Sequence, residues 1–260
     1  MHLRVLGCGS SAGVPSILGD WRACDPANPK NRRTRTSLAI ESQEETWLID
    51  AGPDLKAQLL REGIQKVHGV FLTHAHADHV LGLNEIKPMA YAHGQNIPLY
   101  GDEVTLDVVR QAFGYLIDDG QGDTCPAFYK PFFQPHTLRP SFTWQGQTVK
   151  TFMQHHGAIE SVGYHFGTWA YSTDVKHLSE EALTLLKGVR LWFVGCLDTK
   201  ARVGHADLAQ VLSWISYIKP ELAVLIHMSS FLDYDALKNQ LPAGVVPAYD
   251  GMQIDVRRFT

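Results

Sequence analysis

The sequence predicts a mixed α/β fold in a single domain spanning residues 1–260, and three observations carry that reading. Apolar runs of strand length recur along the chain, among them Leu3 to Leu6, Val67 to Leu72 and Leu222 to Ile226. Segments with helical spacing lie between them, as in Leu55, Leu59 and Leu60, and again in Leu208, Val211, Leu212 and Ile215. A His or Asp then appears where one strand after another stops: at Asp50, at His74 to His79, at His155 and His156, at Asp174 and at His227. Functional side chains of sheet-based α/β proteins sit on loops leaving one end of the strands, so these residues can converge.

Composition bounds the function. With 45% apolar and 19% charged residues in 260, the chain is an ordinary globular protein able to bury a real core. A net charge of −4 gives no long-range attraction to nucleic acid or to an anionic membrane, so any phosphate recognition must be local. Cys8, Cys24, Cys125 and Cys196 are widely spaced with no C-x-x-C pair, which fits a reducing compartment. The N-terminus lacks a signal-peptide apolar core, and no run reaches the ~18 apolar residues of a membrane span. The expectation is a cytoplasmic protein without a membrane partner.

In chain order, the first strand runs into Gly7-Cys8-Gly9-Ser10-Ser11-Ala12-Gly13, a tight turn that reads as structural more readily than as a phosphate cradle. Lys30, Arg32, Arg33 and Arg35 place four positive charges in six residues. Arg33 and Arg35 are the candidates to hold a substrate phosphate, against the reading of a solvated turn. Ser37 to Glu41 and Glu45 to Ile49 form a hairpin, and Leu55 to Gly63 a helix. Ile97 to Tyr100 is a short strand and residues 103–113 are helical. Gly114 to Leu138 mixes Gly, Pro and Asp with five aromatic residues and reads as a lid, a base-stacking wall or a homodimer contact. Thr148 to Met153 is a strand ending at Gln154-His155-His156, with Val162 to Phe166 as its hairpin partner. Trp169 to Ser172 and Val189 to Val194 are further strands. Pro220 stops the helix from Leu208 to Ile218.

The chemistry concentrates in Thr73-His74-Ala75-His76-Ala77-Asp78-His79. Three imidazoles and a carboxylate are expensive to bury uncompensated, and a divalent metal compensates them: neutral His and ionised Asp suit zinc, manganese and iron. In an extended segment His74 and His76 project to one side. If a helix follows, Asp78 and His79 turn to the neighbouring side, which favours two adjacent metals over one.

H-x-H-x-D-H is also the signature of the metallo-β-lactamase superfamily, which this chain resembles. The resemblance implies two packed mixed β-sheets with helices on the outer faces, an αβ/βα sandwich. It implies one metal on His74, His76 and His156, another on Asp78, His79 and His227, and Asp174 shared between them. His155 competes with His156, but by alternation it should point away. Asp50 matches the family carboxylate that hydrogen-bonds the histidine cluster. Two dications about 3.5–4 Å apart can hold a bridging hydroxide and stabilise a phosphoryl transition state.

Further matches run nearly the length of the chain: the Gly-rich turn, Asn31-Arg32-Arg33, Val203-Gly204-His205-Ala206-Asp207, Leu232-Asp233-Tyr234 and Tyr249-Asp250-Gly251. Together they are similar to the PhnP-type phosphodiesterases, which open cyclic phosphates of ribose. That resemblance implies a small cyclic or nucleotide-like phosphodiester as substrate, and His205 as general acid for the leaving oxygen. Its other reading is a helix-capping surface His. The pattern departs at the accessory structural zinc: only Cys24 stands where a cysteine cluster is expected, and Ser230 where a His is expected. No structural zinc is therefore expected. A nuclease of this fold would need a grip on a long anion that this acidic chain lacks, and a thioesterase normally adds a helical C-terminal domain.

Overall fold

The computed structural model describes residues 1–42, 44–94, 96–118 and 130–259. Two seven-stranded mixed sheets pack face to face, as the resemblance implied. The first sheet contains β1 (His2–Gly7), β2 (Ser37–Glu41), β3 (Thr46–Ile49), β4 (Gly69–Phe71), β5 (Ile97–Gly101), β6 (Phe133–Thr137) and β14 (Gln253–Asp255), in the order β14-β1-β2-β3-β4-β5-β6. The second contains β7 (Ser141–Trp144), β8 (Gln147–His156), β9 (Ile159–His165), β10 (Trp169–Ser172), β11 (Leu191–Gly195), β12 (Leu222–Ile226) and β13 (Val245–Pro247), in reverse sequence order. In each sheet one half is antiparallel and the other parallel: β3 to β6 run parallel in the first, and β10 to β13 in the second.

The helices are α1 (Leu55–Glu62), α2 (Ala77–Val80), α3 (Lys87–His93), α4 (Glu103–Phe113), α5 (Glu180–Leu186), α6 (Leu208–Ile218) and α7 (Tyr234–Gln240). Strand alternation sorts the apolar residues. Leu38, Ile40, Trp47, Ile49 and Phe71 pack in the core shared with the second sheet, whereas Ala39, Leu48 and Val70 face outward into a separate core with α1, α3 and α4. Strands buried on both faces read as continuous apolar runs, which is why they stood out in the sequence.

The hairpin, α1, α4, α6, β10 and β12 fall where expected, β11 begins two residues later than expected, at Leu191, and β13 and β14 were not expected. Other bounds shift. The strand expected over Val67 to Leu72 is regular only from Gly69 to Phe71, and β8 continues through both histidines instead of ending before them. Of the aromatic segment, Gly114 to Leu116 is a short 3-10 helix, and Phe132 and Phe133 are buried core side chains at the start of β6. Residues 119–129, with Phe128 and Tyr129, lie outside the described residues. No helix among the described residues is long and apolar enough to cross a membrane.

Candidate metal centre

The ligand-bearing residues leave the strands of both sheets at one edge of the sandwich. Asp50 follows β3, His74 to His79 follow β4, His156 ends β8, Asp174 follows β10 and His227 follows β12. Asp50, Asp174 and His227 all have positive φ, at 63°, 49° and 56°. Non-glycine residues rarely adopt this conformation, and its concentration here marks backbone bent to aim side chains. His76 is the N-cap of α2, so the helix turns Asp78 and His79 away from His74 and His76, as the spacing suggested.

Two groups result. His74 Nε2 lies 2.9 Å from His76 Nδ1, which lies 3.2 Å from His156 Nε2. Asp78 Oδ2 lies 3.2 Å from His79 Nε2 and 3.4 Å from His227 Nε2. Asp174 stands between them: Oδ1 is 3.5 Å from His156 Nε2, while Oδ2 is 3.1 Å from His79 Nε2 and 3.3 Å from His227 Nε2. The structure thus brings together all seven residues the sequence nominated as ligands, and it sets His205 with His156 and Asp174 in a further group able to hold a metal. His155 points outward, pairing its backbone with His177.

The hydrogen bonds behind the cluster fix which ring nitrogens carry protons. His79 Nδ1 donates to Asp50 Oδ2 at 2.7 Å, leaving Nε2 bare, buried and without a hydrogen-bond partner. His156 Nδ1 faces the carbonyl oxygen of Gly204 at 2.6 Å, and a carbonyl can only accept. Thr73 Oγ1 donates to Asp50 Oδ2 at 2.8 Å and therefore accepts from His74 Nδ1 at 3.0 Å. The nitrogens of His74, His79 and His156 that face inward are consequently lone-pair acceptors crowded within contact of one another. Such an arrangement repels itself unless a cation sits among the lone pairs, and imidazole with carboxylate is the donor set of a divalent metal.

The electrostatics agree. Burial pushes His74 well below its usual value, and the other histidines add to the effect. Burial would raise Asp78 and Asp174, but the neighbouring histidines outweigh it and hold both carboxyls below the carboxylate range. Burial likewise opposes a charge on His79, yet Asp50 and Asp174 together raise it well above an ordinary imidazole. Each shift reports the same demand: positive charge among these carboxylates. The residues fit a divalent metal centre.

His205 joins the site from the loop before α6, with Nε2 3.7 Å from Asp174 Oδ1 and its ring stacked 5.2 Å from that of His227. It does not cap the helix; Asp207 does, accepting from the Gln210 N–H. Burial is the main reason its ring is lowered to about 4. Its position is fixed by its backbone carbonyl, which accepts from Lys176 Nζ at 3.2 Å.

Of the two arginines expected at the substrate phosphate, Arg33 needs correction. Arg33 is buried, donating to the carbonyls of Ser229 at 3.0 Å and Leu232 at 2.6 Å and to Asn31 Oδ1 at 3.2 Å, with Cys24 Sγ at 3.9 Å. A guanidinium so placed serves the loop after His227 and cannot meet a substrate. Arg35 pairs with Asp54 at 3.0 Å and is not among the residues lining the cavity over the cluster. The rest of the basic run is also engaged, Lys30 over the rings of Tyr234 and Tyr249 and Arg32 over Trp21. Sequence reading missed Ser11, which lines the cavity, and the supporting roles of Thr73, Lys176 and Gly204. Ser11, Thr73 and Gly204 each stood in a quoted motif, whereas Lys176 gave no sign.

Residues 45–228 match the family described as the Beta-lactamase superfamily domain. A solved structure described as a new diphosphatase from the PhnP family superposes with a TM-score of 0.88 at 31% identity, covering 98% of this chain and 97% of that one. The chain belongs to the β-lactamase superfamily, in its PhnP family. Among curated relatives, an octanoyltransferase of Porphyromonas gingivalis is 31% identical over 97% of this PhnP-family chain and 51% of its own length. A ribonuclease Z of Nostoc sp. is 26% identical over 62% of this chain and 45% of its own. The chain spans about half the length of these curated relatives.

Proposed function

We propose that this PhnP-family chain is a dinuclear metal-dependent phosphodiesterase that hydrolyses a small cyclic or nucleotide-like phosphodiester. The observation that carries the reading is Asp174, whose two oxygens face different histidine groups, with His205 beside it. His74, His76 and His156 would hold one divalent ion, Asp78, His79 and His227 the second, and Asp174 both; zinc, manganese and iron all suit the set. Bound there, the two ions supply a nucleophile from water at neutral pH and stabilise the charge that develops on phosphoryl oxygens.

The protein's own part is positioning and proton supply. Asp50 and Thr73 hold His79 and His74 in the tautomers that present bare nitrogens. His205 Nε2 faces into the site and would give a proton to the leaving oxygen once the negative charge of a bound phosphodiester offsets the burial that holds its ring low. His156 is held against the same loop through Gly204, so the proton donor and a metal ligand share one support. A second reading, hydrolysis of a diphosphate, is favoured by the PhnP-family neighbour described as a diphosphatase. It uses the same cluster.

The test is turnover of bis(p-nitrophenyl) phosphate, 2′,3′-cyclic nucleotides, a ribose cyclic phosphate, a dinucleoside diphosphate, a short RNA and a glutathione thioester by metal-stripped enzyme resupplied with manganese or zinc. Selective hydrolysis of the small cyclic diesters supports the proposal. Cleavage of RNA or thioester alone overturns it. Asp78→Ala should lose metal and rate together, whereas His205→Ala should keep its metal and lose about 10²–10⁴ in kcat.

A further inference from the structure

The Gly-rich turn that follows β1 divides into a packed half and an open half. Gly7 and Gly9 make the packed half. A Cβ on Gly7 would collide with the Arg35 carbonyl oxygen, and one on Gly9 would come 2.8 Å from that of Arg33, so the two glycines let the backbone lie flat against residues 33–35. Thr36 Oγ1 donates to the Gly9 carbonyl at 2.8 Å, and Val14 and Arg33 exchange backbone hydrogen bonds at 2.8 and 2.9 Å. This half is structural.

Ser10 to Gly13 make the open half. The Gly13 N–H donates to the Ser10 carbonyl at 2.8 Å and neither Ser11 nor Ala12 has positive φ, the pattern of a type I turn. Both central residues are exposed, and their N–H groups and Ser11 Oγ have no hydrogen-bond partner among the described residues. Their place is nevertheless fixed. Met228, the residue after His227, donates its N–H to the Cys8 carbonyl at 2.8 Å and accepts from the Ser10 N–H at 3.1 Å, which ties the turn to the loop carrying a nominated metal ligand.

That tie sets Ser11 on the wall of the cavity over the cluster, a space of about 330 Å³. Beyond the metal-centre residues and His205, the walls are Ser11, Gly157, Ala158, Ile159, Val203 and Gly204. Of these six only Ser11 carries a side-chain hydrogen-bond donor.

We propose that Ser11 contacts the substrate directly, its hydroxyl and the unpartnered N–H groups of Ser11 and Ala12 donating to a non-bridging oxygen of the phosphoryl group at the metal cluster. Successive free N–H groups in a turn are a recurrent anion-binding arrangement, and donors held in place before reaction stabilise charge that develops on such an oxygen. Ser11 and His205 then act on different oxygens of one group. The inference deepens the phosphodiesterase reading and rests on it only for a phosphoryl group being the ligand.

The test uses the metal-loaded wild type, Ser11→Ala and Ser11→Thr, the last restoring the hydroxyl at an exposed position. Calorimetric titration with inorganic phosphate measures binding without turnover, and bis(p-nitrophenyl) phosphate gives kcat and KM. Ser11→Ala should bind phosphate about tenfold more weakly and lose about 10²-fold in kcat/KM, chiefly through kcat, with metal content unchanged. Ser11→Thr should recover most of both. Phosphate affinity in Ser11→Ala equal to wild type, a loss that Ser11→Thr fails to recover, or a wild type that binds no phosphate overturns the inference. Should no diester turn over while phosphate binding still depends on the hydroxyl, the phosphodiesterase reading fails and the Ser11 contact stands.

Discussion

At the scale of single residues, the support behind the ligands is as specific as the ligands. Gly204 illustrates why. Its carbonyl fixes His156 Nδ1, and a Cβ built at this position would come 2.8 Å from both Cε1 and Nδ1 of that imidazole. Gly204→Ala should therefore displace His156 from His74 and His76 and weaken metal binding by about 10–100-fold, the range for outer-shell losses. Competition against a chromophoric chelator measures this directly, and unchanged affinity would show that the ring accommodates the methyl. Asp50 is the second such residue. It is wholly buried and accepts from the Thr73 N–H, Thr73 Oγ1 and His79 Nδ1. Asp50→Asn would offer an amide hydrogen where His79 needs an acceptor.

Among the elements, the loop from His227 to α7 shows how a charged run can be internal. Arg33 spans it, and Asn31, buried beside Arg33, donates to Asp233 Oδ2 at 2.6 Å and accepts from the Tyr234 N–H at 2.8 Å. Arg33→Ala removes three hydrogen bonds from a charged donor and empties a buried site, and it leaves the Leu232 carbonyl with only the Cys24 thiol at 3.5 Å, which should destabilise the fold by about 3 kcal/mol. Because the loop begins at a nominated ligand, metal affinity should fall with it; a variant with wild-type melting and metal content would show the fork to be dispensable. Asp233 supplies a pH test. Burial would raise its carboxyl, but the N–H groups of Ala236 and Asp25 and the Asn31 amide outweigh this and hold it below the usual range. A depressed folded-state pKa contributes stability above the unfolded value and loses it as pH falls through the folded one. The stability difference between wild type and Asp233→Asn should thus shrink from pH 6 toward pH 3, and a difference independent of pH would assign the effect to packing. These contacts also explain what the sequence could and could not convey. The ligands were legible because a contiguous motif and repeated strand ends announce them. Arg33 was not, since four charges in six residues look the same whether they meet solvent or carbonyls 200 positions away. Likewise β7, β13 and β14 are three or four residues long, too short for a period, and exist through pairing with distant strands.

For the whole molecule, the centre is a junction between two halves. His74, His76, Asp78 and His79 come from the first sheet, whereas His156, Asp174 and His227 come from the second. The same edge is also joined by hydrogen bonds, with the Val162 N–H donating to the Thr73 carbonyl at 2.8 Å, Tyr164 Oη to the Leu72 carbonyl at 2.5 Å, and the Met228 N–H to the Cys8 carbonyl at 2.8 Å. Farther from the edge the halves meet through an aromatic layer, in which Phe71 packs against Trp47, Tyr100, Trp144, Tyr164 and Phe166. The core holds the sheets together without help, but at the open edge like-charged lone pairs and two buried carboxylates oppose closure. Metal binding to the folded chain removes that opposition, and a ligand at 100 times its dissociation constant stabilises by about 2.7 kcal/mol per site. For a chain of this size each kcal/mol moves the midpoint by roughly 2–4 °C, so chelation should lower Tm by about 5–10 °C for one site and more for two. Thermal unfolding of metal-stripped and resupplied protein measures the shift. Titration of the metal back in two resolvable steps would separate the two triads, and restoration in a single step at one equivalent would leave Asp174 serving one ion. A Tm indifferent to chelation would mean that the aromatic layer and the backbone bonds alone set the approach of the sheets, with the ligands already held in place before any ion arrives.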